Sequence, residues 1–189
     1  ALDLVTAYGP PRTVVNLHYL PEQITAHLMG RDIAFSHETP DILETGGGLR
    51  AALPLLGDGP IFTLNTDAIW RGPNPLELLA NAWRPDVMDA LLMCIPPERA
   101  TGHTGKGDFQ FEPDSPAVRA PGAIYCGVQI IKTDRLATIR ETAFSLNLLW
   151  DQMLAQNRLY CMTYPGTWCD VGRPESIPLA EALLEKQDV

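Results

Sequence analysis

The chain has 189 residues, of which 46% are hydrophobic and 20% are charged, and its formal net charge is −9. This composition is that of a folded domain with a substantial core, and it excludes an intrinsically disordered chain. The acidic balance, without clusters of Lys or Arg, argues against a nucleic-acid partner. No apolar run reaches the ~20 residues that cross a bilayer, and no signal peptide is recognisable. We therefore expect a cytoplasmic protein with no membrane partner.

The four cysteines and four histidines do not have the spacing of a metal site. The cysteines form no Cys-x-x-Cys pair, so we expect reduced, mostly buried thiols. No two histidines lie four residues apart on one predicted helix beside an acidic partner, so a zinc site is not expected. An acidic protein that binds phosphates then needs a few placed basic residues, or a divalent cation held by its own carboxylates.

Hydrophobic periodicity predicts strands that alternate with helices, followed by a more antiparallel second half. The predicted strands are Arg12–Leu17, Asp32–Ser36, Ile61–Asn65, Asp89–Ile95, Asp108–Phe111, Ala123–Ile131 and Arg158–Tyr164. The predicted helices are Ala1–Tyr8, Pro21–Met29, Gly48–Leu56, Pro75–Trp83, Leu146–Ala155 and Pro174–Lys186. This order favours one three-layer α/β domain over residues 1–189, with a mostly parallel, mixed sheet.

Two aspartates follow predicted strands, where ligands bind in such sheets. Asp67 comes after Ile61–Asn65, and Asp170 lies in the segment Thr167–Pro174 before the last helix. Each aspartate alone is equally typical of a turn or a helix cap. Together, two carboxylates at strand ends can meet across one crevice and hold Mg²⁺ between phosphate oxygens.

A glycine-rich segment precedes the predicted helix Gly48–Leu56. Glu44, Thr45, Gly46 and Gly47 lead into this helix, whose start offers free N–H groups and the positive end of the helix dipole to a ligand. The alternative is a simple turn made by the glycines.

A rival hypothesis is a nicotinamide-binding oxidoreductase. Gly46, Gly48 and Ala51 fit the pattern G-x-G-x-x-A, and Asp67 follows at the ~20-residue distance that a dinucleotide site uses. The residues between Ser36 and Gly46 are too many for the tight strand-to-helix turn of that motif. The rival hypothesis also leaves the segment around Asp170 unexplained.

The loop Gly102–Phe109 is punctuated by glycines. It could be mobile without ligand and close over a phosphorylated substrate, with Lys106 as its cation and Asp108 accepting hydrogen bonds from sugar hydroxyls. The alternative is a flexible surface loop with solvated charges.

Five segments in this order resemble the sugar-1-phosphate nucleotidyltransferases: LETGGGLRAALPLL, LNTDAIW, GKGDF, YCGVQI and TWCDVGRPE. The resemblance covers nearly the whole chain and is nearest to the N-acetylmuramate 1-phosphate uridylyltransferases of bacterial peptidoglycan recycling. It implies a Rossmann-like, glycosyltransferase-A-type fold and a reaction of a sugar 1-phosphate with a nucleoside triphosphate that releases pyrophosphate.

The resemblance also implies roles for individual residues. It implies a Mg²⁺ ion held by Asp67 and Asp170, which would be the catalytic pair. The implied nucleotide and sugar contacts are Glu44, Thr45, Gly46, Gly47, Asn65, Asp108 and Gly127. Lys106 is predicted as a further contact because it lies in the glycine-punctuated loop. Thr45-Gly46-Gly47 stands where guanylyl-transferring relatives usually have T-A-G, which favours UTP. A mannose-1-phosphate guanylyltransferase, another hexose-1-phosphate nucleotidyltransferase or a catalytically silent nucleotide-sugar-binding protein remain alternatives.

One departure from the family pattern concerns the N-terminal region. The family opens with a segment of the form L-A-A-G-x-G-x-R-M followed by a Lys-Pro pair, and none lies between Ala1 and Arg12. We therefore expect the strand Arg12–Leu17 to be the second strand of the sheet, and the natural protein to carry a glycine-rich N-terminal segment. Residues 1–189 alone are expected to show negligible nucleotidyl transfer.

Overall fold

The computed structural model describes residues 1–185, which form eleven strands and six helices. The strands are β1 (Val14–Leu17), β2 (Ala34–His37), β3 (Ile61–Leu64), β4 (Ala68–Arg71), β5 (Ala90–Ile95), β6 (Ala100–Thr101), β7 (Phe109–Gln110), β8 (Val118–Arg119), β9 (Ile124–Ile131), β10 (Leu159–Thr163) and β11 (Thr167–Asp170). The helices are α1 (Leu2–Tyr8), α2 (Pro21–His27), α3 (Glu44–Leu56), α4 (Pro75–Ala82), α5 (Asn147–Leu154) and α6 (Ile177–Glu185).

The predicted elements all have an observed counterpart, and two differences bear on function. Helix α3 begins at Glu44 rather than Gly48, so it contains the whole glycine run. Strands β4 and β11 were not predicted, because the polar residues Thr66, Asp67 and Asp170 beside or within them are also typical of turns. The predicted end of the last helix, Lys186, lies outside the described residues.

The chain divides into two compact units. Unit 1 comprises Ala1–Tyr8, Phe62–Ile131 and the chain from Met153 onward, and unit 2 comprises Gly9–Ile61 and Lys132–Gln152. The prediction of a single domain stays a prediction.

A four-stranded sheet in the order β10-β5-β9-β3 forms the centre of unit 1. β10 is parallel to β5, and β5 is antiparallel to β9. All six residues of β5 are buried, because helix α4 contacts β5 and β9 and covers them with Leu76 and Leu79. Asn74 caps α4 by accepting a hydrogen bond from Leu76 N at 3.0 Å, and Pro75 opens the helix as predicted.

A three-stranded sheet in the order β4-β11-β6 carries the candidate site. β11 is antiparallel to β4 and parallel to β6. Trp168 on β11 is buried in a cluster with Ile95, Ile124 and Cys126, which fixes this sheet on the core of unit 1. Helix α6 contacts β11 and β4.

Unit 2 contains the parallel pair β1-β2, against which helix α3 packs. Its buried side chains include Leu17, Ala52, Leu136 and Leu149. The strand pair of unit 2 is parallel, and unit 1 has both parallel and antiparallel pairs, which confirms the predicted α/β class with mixed sheets.

The four cysteines of the chain are free and buried, as predicted. Within residues 1–185, no helix has the length and apolar character needed to span a bilayer.

Candidate active site

Asp67 and Asp170 are brought together by the pairing of β4 with β11. Asp67 directly precedes β4, and Asp170 is the last residue of β11. Because the two strands are antiparallel with Asp170 opposite Ala68, the start of one strand lies at the end of the other. A hydrogen bond of 2.8 Å from Val171 N to Asp67 O extends the pairing beyond the strands.

The two carboxylates border the same small volume, beside Gly172. A β-carbon placed on Gly172 would lie 3.1 Å from Asp170 Oδ1 and 3.5 Å from Asp67 Oδ2. Glycine therefore leaves space between two anionic oxygens. Asp67 is exposed and the side chain of Asp170 is 28% exposed, so both can accept a ligand from solvent.

Asp170 receives one hydrogen bond at each carboxylate oxygen. Oδ1 accepts from the backbone N–H of Gly172 at 2.9 Å, and Oδ2 lies 3.2 Å from Nδ1 of His103. Because an ionised carboxylate only accepts, Nδ1 of His103 carries the proton that is donated. Each oxygen keeps a further lone pair for another ligand.

A pocket of about 100 Å³ surrounds these groups. Its lining consists of Asn65, Asp67, His103, Tyr125, Cys126, Gly127, Trp168 and Asp170. Burial raises the pKa of the Cys126 thiol, and desolvation raises the pKa of the Tyr125 hydroxyl, both well above their usual ranges. Both groups stay protonated at neutral pH, so neither supplies an anionic nucleophile. The negative charge of this lining comes from Asp67 and Asp170.

The donor set fits Mg²⁺. Mg²⁺ binds carboxylate oxygens, keeps several waters and completes its coordination with substrate phosphates, so one or two aspartates suffice. The volume beside Gly172, between oxygens of Asp67 and Asp170, is a place for such an ion. Among residues 1–185, no three His, Cys, Asp or Glu side chains are grouped as they would be around a metal. A Mg²⁺ site made of two carboxylates stays a prediction.

Asn65 and Gly127, predicted to line a sugar pocket, lie together in this pocket. Asn65 N donates to Gly127 O at 2.8 Å. Gly127 has a φ of 84°, and a β-carbon there would lie 2.9 Å from Cβ of Asn65. Glycine at position 127 is therefore needed both for the backbone conformation and for the placement of Asn65.

Lys106 and Asp108 are not among the residues that line the pocket. Asp108 Oδ2 accepts from the backbone N–H of Tyr125 at 2.9 Å, so this carboxylate already supports the strand that lines the pocket. Lys106 is exposed, and its carbonyl accepts from Gly122 N at 3.0 Å. Sugar or phosphate contacts of these two residues stay predictions.

In unit 2, the glycine-rich start of α3 uses its backbone donors internally. The N–H groups of Gly46 and Gly47 both donate to the carbonyl of Phe144, at 2.8 and 3.1 Å. The expectation of free N–H groups at this helix start is therefore wrong for these two residues.

The three consecutive glycines of α3, Gly46, Gly47 and Gly48, are required by close packing. A β-carbon would meet the ring of Phe144 at Gly46, the carbonyl of Thr142 at Gly47 and Oε1 of Glu38 at Gly48. A dinucleotide site needs its glycines in a tight turn directly after a strand. Here β2 ends at His37, and α3 has already begun when Gly46 is reached. The nicotinamide-binding hypothesis is wrong.

Glu44 and Thr45 lie at the exposed start of α3. Thr45 Oγ1 accepts from Leu146 N at 3.0 Å, which fixes its hydroxyl. Glu44 has a φ of 58°, a left-handed conformation that costs a non-glycine residue ~1–3 kcal/mol and recurs at ligand sites. Their ligand contacts stay predictions, as do those of Gly46 and Gly47.

His103 and Trp168 belong to the pocket, although the sequence analysis assigned neither of them a role. Trp168 Nε1 donates to Cys126 O at 3.1 Å, so the indole forms a fixed wall. His103 comes two residues after β6, and β6 is parallel to β11. The rule that parallel strands present ligands at their carboxyl ends could have found His103, had the two-residue strand β6 been recognised.

Comparisons with known proteins agree with the sequence resemblance. No protein-family model matches the chain. An N-acetylmuramate alpha-1-phosphate uridylyltransferase of Caulobacter vibrioides is 35% identical over 198 residues, which cover 97% of this chain and 81% of that protein. The protein of the same name from Neisseria meningitidis is 31% identical, with 93% of this chain and 79% of the relative covered. A mannose-1-phosphate guanylyltransferase catalytic subunit beta of Dictyostelium discoideum is 29% identical, but only 52% of its length is covered.

The fold is shared with solved structures. The crystal structure of HddC from Yersinia pseudotuberculosis superposes with a TM-score of 0.75 at 16% identity, and 97% of this chain and 83% of that chain are covered. The chain therefore belongs to the sugar-1-phosphate nucleotidyltransferases, in the family that includes the N-acetylmuramate alpha-1-phosphate uridylyltransferases of Caulobacter and Neisseria.

Proposed function

We propose that this protein transfers a uridylyl group from UTP to N-acetylmuramate 1-phosphate and releases pyrophosphate, with Mg²⁺ held by Asp67 and Asp170. The observation that carries the proposal is the pair of carboxylates beside Gly172, in a chain 35% identical to a uridylyltransferase for this sugar phosphate. The same proposal places the protein in the cytoplasm, in peptidoglycan recycling, since UTP is a cytoplasmic metabolite.

The reaction joins two anions and needs no general base. An oxygen of the sugar phosphate forms a bond to the α-phosphorus of UTP, while the bond from that phosphorus to the oxygen bridging to the β-phosphate breaks. The attacking oxygen is already anionic, so positioning and charge neutralisation are the tasks of the protein. When bound, Mg²⁺ supplies the positive charge that offsets the repulsion between the two phosphates.

The residues of the chain have separate tasks in this proposal. Asp67 and Asp170 would hold the ion, and the backbone N–H of Gly172 donates a hydrogen bond to the Asp170 carboxylate. Asn65 offers an amide to sugar hydroxyls from a position fixed by Gly127. The side chains of Cys126 and Tyr125 line the pocket and stay uncharged, because desolvation on burial raises their pKa values.

Pyrophosphate release tests the proposal directly. The protein is assayed with Mg²⁺ and a matrix of nucleoside triphosphates and sugar 1-phosphates. We expect the highest kcat/KM for UTP with N-acetylmuramate 1-phosphate. A preference for GTP with mannose 1-phosphate would assign the protein to the guanylyltransferases. Binding without turnover for every pair would indicate a catalytically silent nucleotide-sugar-binding protein.

A further inference from the structure

We propose that His103 is a positioning residue that orients the Asp170 carboxylate and, through the same hydrogen bond, ties the loop 102–107 to the pocket. The proposal rests on the metal-binding role proposed for Asp170. It assigns a role to a histidine that has none in the reaction described above.

The Asp170 carboxylate is held at both oxygens, and His103 supplies one of the two donors. The side chains of His103 and Asp170 are 25% and 28% exposed, so their 3.2 Å contact is partly shielded from water. Without His103, Oδ2 would lose the one donor that it has among residues 1–185, while Oδ1 kept the bond from Gly172 N. The carboxylate could then rotate about its remaining hydrogen bond, and hydrogen-bonded partners of metal ligands prevent this kind of movement.

The ring of His103 lies near two other residues, Trp168 on β11 and Gly105 in its own loop. Its centroid is 6.2 Å from that of the Trp168 ring, which is fixed by the hydrogen bond of its indole to Cys126 O. A β-carbon on Gly105 would collide with Nε2 of His103. The loop therefore folds back over the imidazole, and glycine at position 105 leaves room for the ring.

Three consecutive residues of the loop contact the segment that carries Asp170. A β-carbon on Gly102 would collide with the carbonyl of Asp170, so the loop backbone passes directly against this residue. His103 follows with its hydrogen bond, and Thr104 Oγ1 accepts from Arg173 Nη2 at 2.9 Å. The loop that carries Lys106 thus contacts Asp170 and Arg173 directly. Closure of this loop over a substrate stays a prediction.

The single hydrogen bond between His103 Nδ1 and Asp170 Oδ2 should therefore have two measurable effects. Loss of the His103 Nδ1 donor should loosen the carboxylate, which lowers metal affinity, and should also release the loop, which raises its amide exchange. Loss of the neighbouring Thr104 contact should release the loop only.

The experiment compares two substitutions of His103, each of which places an amide near the position of a different imidazole nitrogen. The side-chain amide of His103→Asn lies near the position of Nδ1, whereas that of His103→Gln lies near the position of Nε2. Mn²⁺ affinity is measured by electron paramagnetic resonance, and hydrogen exchange of residues 102–107 is measured in the metal-free protein. We expect His103→Asn to stay within about twofold of the wild type, and His103→Gln to bind Mn²⁺ roughly tenfold more weakly with faster exchange in the loop.

Two further variants separate the parts of the proposal. Gly105→Ala keeps the histidine but pushes its imidazole away, because the added methyl group collides with Nε2. It should therefore reproduce the weaker Mn²⁺ binding and the faster loop exchange of His103→Gln. Thr104→Val should accelerate loop exchange and leave Mn²⁺ affinity unchanged.

Equal behaviour of His103→Asn and His103→Gln in both measurements would overturn the proposal, as would wild-type loop amides that exchange as fast as an unstructured peptide. The metal site itself is checked by Asp67→Asn, which should abolish Mn²⁺ binding whatever the His103 variants do. If the wild type binds no Mn²⁺, the proposed metal site and the orienting role of His103 both fall. The exchange difference between the Asn and Gln variants then decides the loop attachment alone.

Discussion

The glycine-rich start of α3 and the carboxylate pocket use their polar groups in opposite ways. At the start of α3, the N–H groups of Gly46 and Gly47 donate to Phe144 O, and the space above the glycines is filled by neighbouring residues. In the pocket, the oxygens of Asp67 and Asp170 keep free lone pairs and border an open volume. A run of glycines can thus be required by packing, whereas the two carboxylates border a pocket with space for a ligand.

The difference has an energetic basis. A satisfied backbone N–H must give up its hydrogen bond before it can bind a phosphate, so the net gain from that contact is small. Two carboxylates that border the same volume would both attract a divalent cation bound there. We therefore expect substitutions in the pocket to affect metal binding and activity, and substitutions at Gly46 and Gly47 to affect stability.

The largest effect is expected at the carboxylates. Asp67→Asn and Asp170→Asn should each lower kcat/KM by roughly 10²- to 10³-fold, because loss of the ion removes several kcal/mol of charge stabilisation. The measurement is pyrophosphate release across a Mg²⁺ titration, with thermal unfolding as the control for folding. Activity near the wild-type level in both variants would contradict the metal role.

Gly46→Ala should destabilise the protein although alanine favours helices. The added methyl group meets the Phe144 ring, and overpacking costs about 1–3 kcal/mol, which outweighs the gain of about 1 kcal/mol from helix propensity. Urea denaturation measures the free energy of unfolding. Ala51→Gly, at an exposed position of the same helix, is the matched control and should lose about 1 kcal/mol from propensity alone. An increase in stability for Gly46→Ala would show that the glycine is kept for a ligand.

Gly172→Ala tests the open volume with one methyl group. Its backbone N–H can still donate to Asp170 Oδ1, but its β-carbon would lie between the two carboxylates. We expect Mn²⁺ affinity to fall by roughly tenfold, similar to the loss of an orienting partner, with little change in thermal stability. Unchanged affinity would place the ion elsewhere.

Lys106→Ala should have the smallest effect, because this lysine is exposed and does not line the pocket. We expect the KM for the sugar phosphate to rise by about two- to fivefold, with less change in the KM for the nucleotide. Steady-state kinetics with each substrate varied in turn separate the two values. Equal increases would assign Lys106 to general electrostatics rather than to the sugar phosphate.

Local signals in the amino-acid sequence were enough to predict the long elements and the identity of the carboxylates. The apolar run of β5 and the Asn74-Pro75 start of α4 depend on neighbours along the chain. Asp67 and Asp170 were recognised because each lies in a short motif of the family.

Tertiary structure decided which of these residues meet and what the glycines do. β4 and β11 have four residues each, and only their pairing places Asp67 beside Asp170. His103 reaches Asp170 because β6 pairs with β11, and the donors of Gly46 and Gly47 are taken by Phe144, which is remote in sequence. These contacts join segments far apart along the chain, and no local pattern encodes them because periodicity and propensity report only on adjacent residues.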